Sequence, residues 1–177
     1  ITSERMKLSS WEITNSAGTV ALSEGVVNRD EEGTFVAHVN IPQMELRQLL
    51  INLTVPETPL HLDFKSEMPC SGSIHPFHVV CKGQVMAQNL WVHSGAPLRR
   101  TIVAVNDIKV DGELEADLKR VKYKGKLSVG KNSTGTSQGV IDYQSGFKIE
   151  YDGQHIDFQD IQNLAQLKFS GTGKLRG

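Results

Sequence analysis

Four residues of metal-ligand type fall in one short stretch: Cys70, His75, His78 and Cys81. Zinc is the chemistry such a set invites, but Cys-x4-His-x2-His-x2-Cys matches no common zinc spacing. In an extended Ile74–Lys82 segment, His75 and Cys81 would face one way and His78 the other, so no metal is assigned. Two readings of the cysteines stay open. One is a Cys70–Cys81 disulfide closing a hairpin, which implies an oxidising compartment. The other is two free, partly buried thiols.

Carboxylates are numerous but isolated. Asp63, Glu115, Asp117, Asp142, Glu150 and Asp157 fall mostly where alternation sends side chains outward, whereas acid/base work needs two groups converging in a pocket. No Gly-x-Ser-x-Gly elbow is present. Gly171-Thr-Gly173 leads into Lys-Leu-Arg-Gly177, not into a phosphate-loop helix. The expectation is a protein that is not an enzyme and holds no cofactor. Asn52-Leu-Thr54 and Asn132-Ser-Thr134 are formal glycosylation sequons, a pattern common by chance. Trp11 and Trp91 lie in alternating contexts and read as core or rim aromatics ahead of sugar platforms.

The elements that must position these residues are strands. Leu114, Ala116 and Leu118 alternate with Glu115, Asp117 and Lys119; then Val121, Tyr123, Leu127 and Val129 take odd positions against Lys122, Lys124 and Lys126. The phase flip demands a bulge or turn near Lys119–Arg120. Ile102, Ala104, Ile108 and Val110 would share one face, and Phe147, Ile149 and Tyr151 alternate with Lys148 and Glu150. One apolar and one wet face is the antiparallel pattern. No proline follows Pro97, so the C-terminal half can build an uninterrupted ladder, while the first half should be more irregular. Gly130–Gly135 reads as a loop. Helix is scarce: Gln43–Leu53, with Pro42 just before it, and Phe158–Leu164 are the candidates.

The 177 residues carry 19 Lys plus Arg against 20 Asp plus Glu, a balance that argues against nucleic-acid binding by phosphate neutralisation. No apolar run approaches the roughly 20 residues that span a bilayer. The start at Ile1-Thr2-Ser3, with no Met and no apolar leader, reads as a fragment of a longer protein. The expectation is a single β-rich domain over residues 1–177.

An internal repeat relates residues 23–53 to 137–165. Ser23-Glu-Gly25-Val-Val-Asn28 reads again as Ser137-Gln-Gly139-Val-Ile-Asp142; Gly33 matches Gly146 and Phe35 matches Phe147. From there Ala37, Val39, Met44, Leu46 and Leu49 match Ile149, Tyr151, Ile156, Phe158 and Ile161 at a constant offset of 112. Each copy reads as strand, Gly-bearing turn, strand and short helix, a unit that cannot close its own core.

The run from Gln138-Gly-Val-Ile-Asp-Tyr to Gly146-Phe-Lys-Ile-Glu-Tyr-Asp-Gly153, then His155-Ile-Asp-Phe158 and the closing Gly171-Thr-Gly173, resembles the recurring phrase of the AsmA/TamB-like superfamily. The type II secretion N protein is a related variant. Gly25–Leu53 fits more loosely, with Pro42 and Met44 at the apolar-acid-apolar step, and Thr54–Ala96 has no counterpart. The resemblance implies a curved antiparallel sheet forming an open, taco-like groove with one or two short helices. It also implies a periplasmic location in a Gram-negative envelope, a membrane anchor outside this fragment, and phospholipid acyl chains as ligand during outer-membrane biogenesis. The groove lining would be Val121, Tyr123, Leu127, Val129, Phe147, Ile149 and Tyr151. Burial at about 0.8 kcal/mol per methylene gives roughly 10 kcal/mol gross for a 14-carbon chain before ordering costs. Two other readings compete: a secretion-apparatus module whose sheet edges dock an envelope protein, and an enzyme or sugar-binding sandwich built around His75 and His78.

Overall fold

Apolar residues at every second position leave the backbone one economical solution, a sheet that buries one face. The computed structural model describes residues 5–54, 60–93, 101–161 and 171–177. Its elements in chain order are β1 (Arg5–Asn15), β2 (Gly18–Asn28), β3 (Phe35–Glu45), α1 (Leu46–Asn52), β4 (Leu60–Ser73), β5 (His78–His93), β6 (Thr101–Val105), β7 (Ile108–Asp117), β8 (Arg120–Val129), β9 (Ser133–Asp142), β10 (Gly146–Asp157) and β11 (Thr172–Arg176). All eleven strands join one antiparallel sheet that stays open, in the order β1-β2-β3-β4-β5-β7-β8-β9-β10-β11. β6 continues the line of β7 along β5.

Register assigns every side chain to a face. One cross-strand row runs Ala37, Cys70, Cys81, Leu114, Tyr123, Gly139, Ile149. A second row on the same face holds Ser66, Val85, Val110, Leu127 and Gly135. This face is apolar. Two buried clusters form on it: Met68, Cys70 and Cys81, and Ala87, Val105, Ile108 and Val129. The opposite face carries Lys82, Glu113, Lys124 and Gln138 in one row.

Between the apolar rows runs a line of small residues, Gly83, Gly112, Gly125 and Ser137. A Cβ on Gly112 would strike the Lys124 carbonyl, and one on Gly125 would strike the Asp111 carbonyl. Strands approach this closely only where no side chain intervenes, which is what the glycines supply along this line.

The turn at Leu118–Lys119 lies where the phase flip places it, and the Asp117 carboxylate accepts the N–H groups of Lys119 and Arg120 at 2.7 and 3.0 Å. The proline asymmetry accounts for part of the irregularity. Register slips interrupt the β2–β3, β3–β4, β4–β5 and β5–β6 pairings, while β7–β8 and β8–β9 pair without a slip. But β9–β10 and β10–β11 also slip near Gly153, so the proline-free half is not an uninterrupted ladder, and β1–β2 in the first half pairs without a slip.

Four local expectations are corrected. Helix α1 starts at Leu46, and Pro42 lies inside β3 at the slip between Ile41 and Met44, where a missing N–H costs no ladder bond. Phe158–Ile161 forms a turn, and the remainder of that helix candidate lies outside the described residues. The Gly130–Gly135 loop shrinks to residues 130–132, because Ser133 already pairs with Val129. Ala104 faces away from Ile108 and Val110, opposite Trp91; Asp107 has φ 56°, and this left-handed residue reverses the phase between β6 and β7.

The repeat copies share their pairings. Val27 faces Phe35 as Ile141 faces Phe147, and Val26 faces Val36 as Val140 faces Lys148. The next pairing slips between Ile41 and Met44 in one copy and between Gly153 and Ile156 in the other, the same place at offset 112.

Candidate functional site

The groove residues named from the sequence lie on β8 and β10, the two strands that flank β9. Val121 and Phe147 both pair with Ile141, Tyr123 and Ile149 both pair with Gly139, and Tyr151 pairs with Ser137. Their environments differ. Val129 is buried in the cluster with Ala87, Val105 and Ile108, and Leu127 packs against it together with Ile161. These two therefore serve as core. Val121 and Tyr123 are half-buried, while Ile149 and Tyr151 keep 39% and 38% of their surface in solvent. The apolar face thus carries its buried clusters over β4, β5 and β7, the β9 residues turned to it (Ser133, Gly135, Ser137 and Gly139) are buried, and Ile149 and Tyr151 on β10 remain exposed.

Tyr123 lies across Gly139, where a Cβ would collide with its ring. Its hydroxyl is 3.0 Å from Ser137 Oγ, and Ser137 Oγ donates to the Glu150 carbonyl at 3.1 Å. Burial pushes the Tyr123 phenol up, and the Ser137 contact opposes that. The apolar face thereby keeps a buried hydroxyl pair satisfied within the protein.

The opposite face is a lattice of ion pairs. Glu113 lies 3.3 Å from both Lys124 and Lys82, and hydrogen bonds from Lys124 first and Lys82 second hold its carboxyl below the usual range. Glu115 meets Lys122 at 3.5 Å and His78 at 3.3 Å. Glu150 accepts from Lys148 at 2.6 Å and from Gln138 at 2.7 Å, which lowers it in the same way. A depression of about 840 Å³ is bordered by Lys124, Lys126, Gln138 and Glu150 of this face together with Tyr151 and Arg176. The alternation of Lys122, Lys124 and Lys126 opposite Glu113 and Glu115 is readable from the sequence once the hairpin is fixed, although only the apolar side was singled out there.

Cys70 and Cys81 face each other in the β4–β5 ladder and form a disulfide. Ile74–Phe77 is the hairpin turn, and His78 lies on the charged face, away from Cys81. Among the described residues no three His, Cys, Asp or Glu side chains gather as a metal set. Sequence reasoning missed Asp160. Its carboxylate accepts the N–H groups of Lys131, Asn132 and Ser133 at 3.1, 2.9 and 2.9 Å and the Ser133 hydroxyl at 2.9 Å. No local motif announces a contact across that chain separation. Compared with known proteins, the chain matches no family model, no curated protein and no solved structure.

Proposed function

We propose that this chain is a non-catalytic periplasmic module that binds phospholipid acyl chains on the apolar face of its sheet, as part of a longer envelope protein acting in outer-membrane biogenesis. One observation carries the reading. The apolar face is continuous by register from β3 to β10, yet the sheet is open, and Ile149 and Tyr151 remain in solvent while their neighbours Lys148 and Glu150 point the other way. An apolar strip kept in register and left uncovered is a binding surface for something apolar. Val121, Tyr123, Ile149 and Tyr151 offer a shallow seat for a hydrocarbon tail. The Cys70–Cys81 bond supports an oxidising compartment.

Photo-crosslinking in a lipid-containing extract tests this. Probes at Ile149 and Tyr151 should capture phospholipid, and probes at Lys148 and Glu150 should not. Equal capture from both faces would overturn the proposal. A second reading, docking of an envelope protein at a sheet edge, is favoured by β1: this edge strand is exposed along its whole length and carries Met6, Leu8, Trp11 and Ile13. A stoichiometric protein partner without co-purifying lipid would select it.

A further inference from the structure

β1 ends the sheet: β2 lies on one side of it, and all eleven of its residues are exposed. An edge this long, with no proline in it, is a template for another strand. From Met6 to Ile13 it reads Met-Lys-Leu-Ser-Ser-Trp-Glu-Ile. Taken from the two ends inward, Met6 matches Ile13, Lys7 is opposite in charge to Glu12, Leu8 matches Trp11 and Ser9 matches Ser10. Laid antiparallel on itself, the strand is chemically self-complementary.

The faces agree with this. Register sets Met6 level with Val27 and Phe35, and Trp11 level with Leu22 and Val39. Phe35 and Val39 lie on the same face of β3, whose pairing with β4 has no slip between them. Met6 and Trp11 therefore share the apolar face. By the same route Lys7 is level with Val36 and Glu12 with Asn40, so both turn to the other face. The phase of β1 changes between the Leu8–Gly25 and Ser10–Ser23 pairs, where Glu24 has φ 54°. Because the change falls at the middle of the strand, a copy turned by a two-fold axis presents its residues to the same faces. Lys7 and Glu12 stand roughly 17 Å apart along one strand, too far to meet within a copy. Lys7 has no ion-pair partner among the described residues, and Glu12 accepts from the Thr14 hydroxyl at 3.4 Å.

We propose that β1 pairs with β1 of a second copy of this chain, across a two-fold axis at Ser9–Ser10, so that two sheets join into one. Lys7 of each copy faces Glu12 of the other, and Met6 and Leu8 face Ile13 and Trp11. Trp11, 52% exposed in a single copy, then meets an apolar neighbour, and the apolar face runs on across the junction. Lys7 guards the edge against other strands, since a carboxylate at its level is what offsets it. End-to-end growth is disfavoured, because the other end of the sheet, β11, carries Lys174 and Arg176 and no acid. This gives the β1 edge to a second copy in place of an envelope protein, and it does not rest on the acyl-chain reading.

Sedimentation equilibrium of the whole chain tests it, over a series from about 1 to about 300 μM. A contact made by one strand edge is small, so the dimer should be reversible, with a dissociation constant on the order of 10 μM. Lys7→Glu and Glu12→Lys should each weaken it by at least about tenfold, because two attractive pairs become two repulsive ones. The double variant Lys7→Glu/Glu12→Lys re-forms both pairs with the charges exchanged, and it should recover the parent value to within about threefold. Both positions are exposed, so these exchanges leave the packed clusters untouched. A chain that stays monomeric, a dimer indifferent to either single exchange, or a double variant as weak as the singles overturns the proposal. So does growth beyond the dimer, or a β1 edge taken up by a stoichiometric envelope protein.

Discussion

Asp160 holds the turn between β8 and β9 and, through its neighbour Ile161, the lid over Leu127 and Val129. Its Oδ2 accepts three hydrogen bonds and its Oδ1 a fourth. In Asp160→Asn the best amide orientation keeps the three and loses the fourth, and all become neutral. Bonds to charged groups are worth about 1.5–3 kcal/mol and neutral ones about 0.5–1.5, so at mid-range the gross loss is roughly 6 kcal/mol. Solvent at the turn reduces this by about half, giving ~3 kcal/mol in urea unfolding at neutral pH. The pH dependence has a definite sign. Burial alone pushes the Asp160 carboxyl up, but the N–H groups of Asn132, Lys131 and Ser133 and the Ser133 hydroxyl leave it below the ordinary value. A lowered native pKa stabilises the fold above the unfolded pKa of about 3.9, and that stability is lost as pH falls through the native value. The gap between parent and Asp160→Asn should therefore be full at neutral pH and shrink in strong acid. Gly130 supplies the cross-check. It has φ 58°, and a Cβ there would land on the Asp160 carboxylate. Gly130→Ala should cost about 1 kcal/mol for its backbone conformation, plus the displaced carboxylate, and only the backbone part should survive in an Asp160→Ala background. A cost for Asp160→Asn under about 0.5 kcal/mol, or strict additivity with Gly130→Ala, would refute the reasoning.

Further outcomes follow from the same geometry. Reducing Cys70–Cys81, which are 11 residues apart, should lower unfolding stability by about 3 kcal/mol through the freed loop alone, measured by urea titration with and without reductant. Gly139→Ala should destabilise by about 1–3 kcal/mol, because the Tyr123 ring and the Lys148 carbonyl both have to move; pairing it with Tyr123→Leu should recover the ring's share of that loss and leave the carbonyl's. Lys124→Met should raise the Glu113 carboxyl pKa more than Lys82→Met does, read by NMR titration, because the Lys124 hydrogen bond is the stronger influence.

The local part of this fold was legible. The flip from Leu118 to Val121 could only be a turn, and the Asp117 side chain completes it. The even-numbered apolar residues of β4, Leu60 through Cys70, carry the same signal and were equally readable. What failed was phase across irregular residues. Ala104 looked continuous with Ile108 because Asp107 gives no sign in the sequence of its left-handed backbone. Pro42 looked like a helix start because its other compatible setting, a bulge in a strand, depends on the partner β4. Contacts between residues far apart in sequence, such as Asp160 with Ser133 and His61 with Trp91, lie beyond any local pattern.

The slips in register bear directly on function. A bulge inserts one residue and turns every later side chain to the other face unless the apolar pattern shifts with it. In β3 the apolar residues are odd-numbered at Ala37 and Val39 and even-numbered at Met44; the slip falls between Ile41 and Met44, and Met44 stays buried on the same side. In β10 Ile149 and Tyr151 give way to Ile156 across the slip at Gly153, and Ile156 is buried in turn. Both copies of the repeat therefore change phase where the backbone does, and one face stays apolar throughout. In the first copy that face is spent on packing against Met68 and the disulfide. In the second, Ile149 and Tyr151 hold the same register with no strand or helix among the described residues laid over them. That asymmetry between two otherwise matched units supports seating the proposed ligand beside Ile149 and Tyr151 on β10.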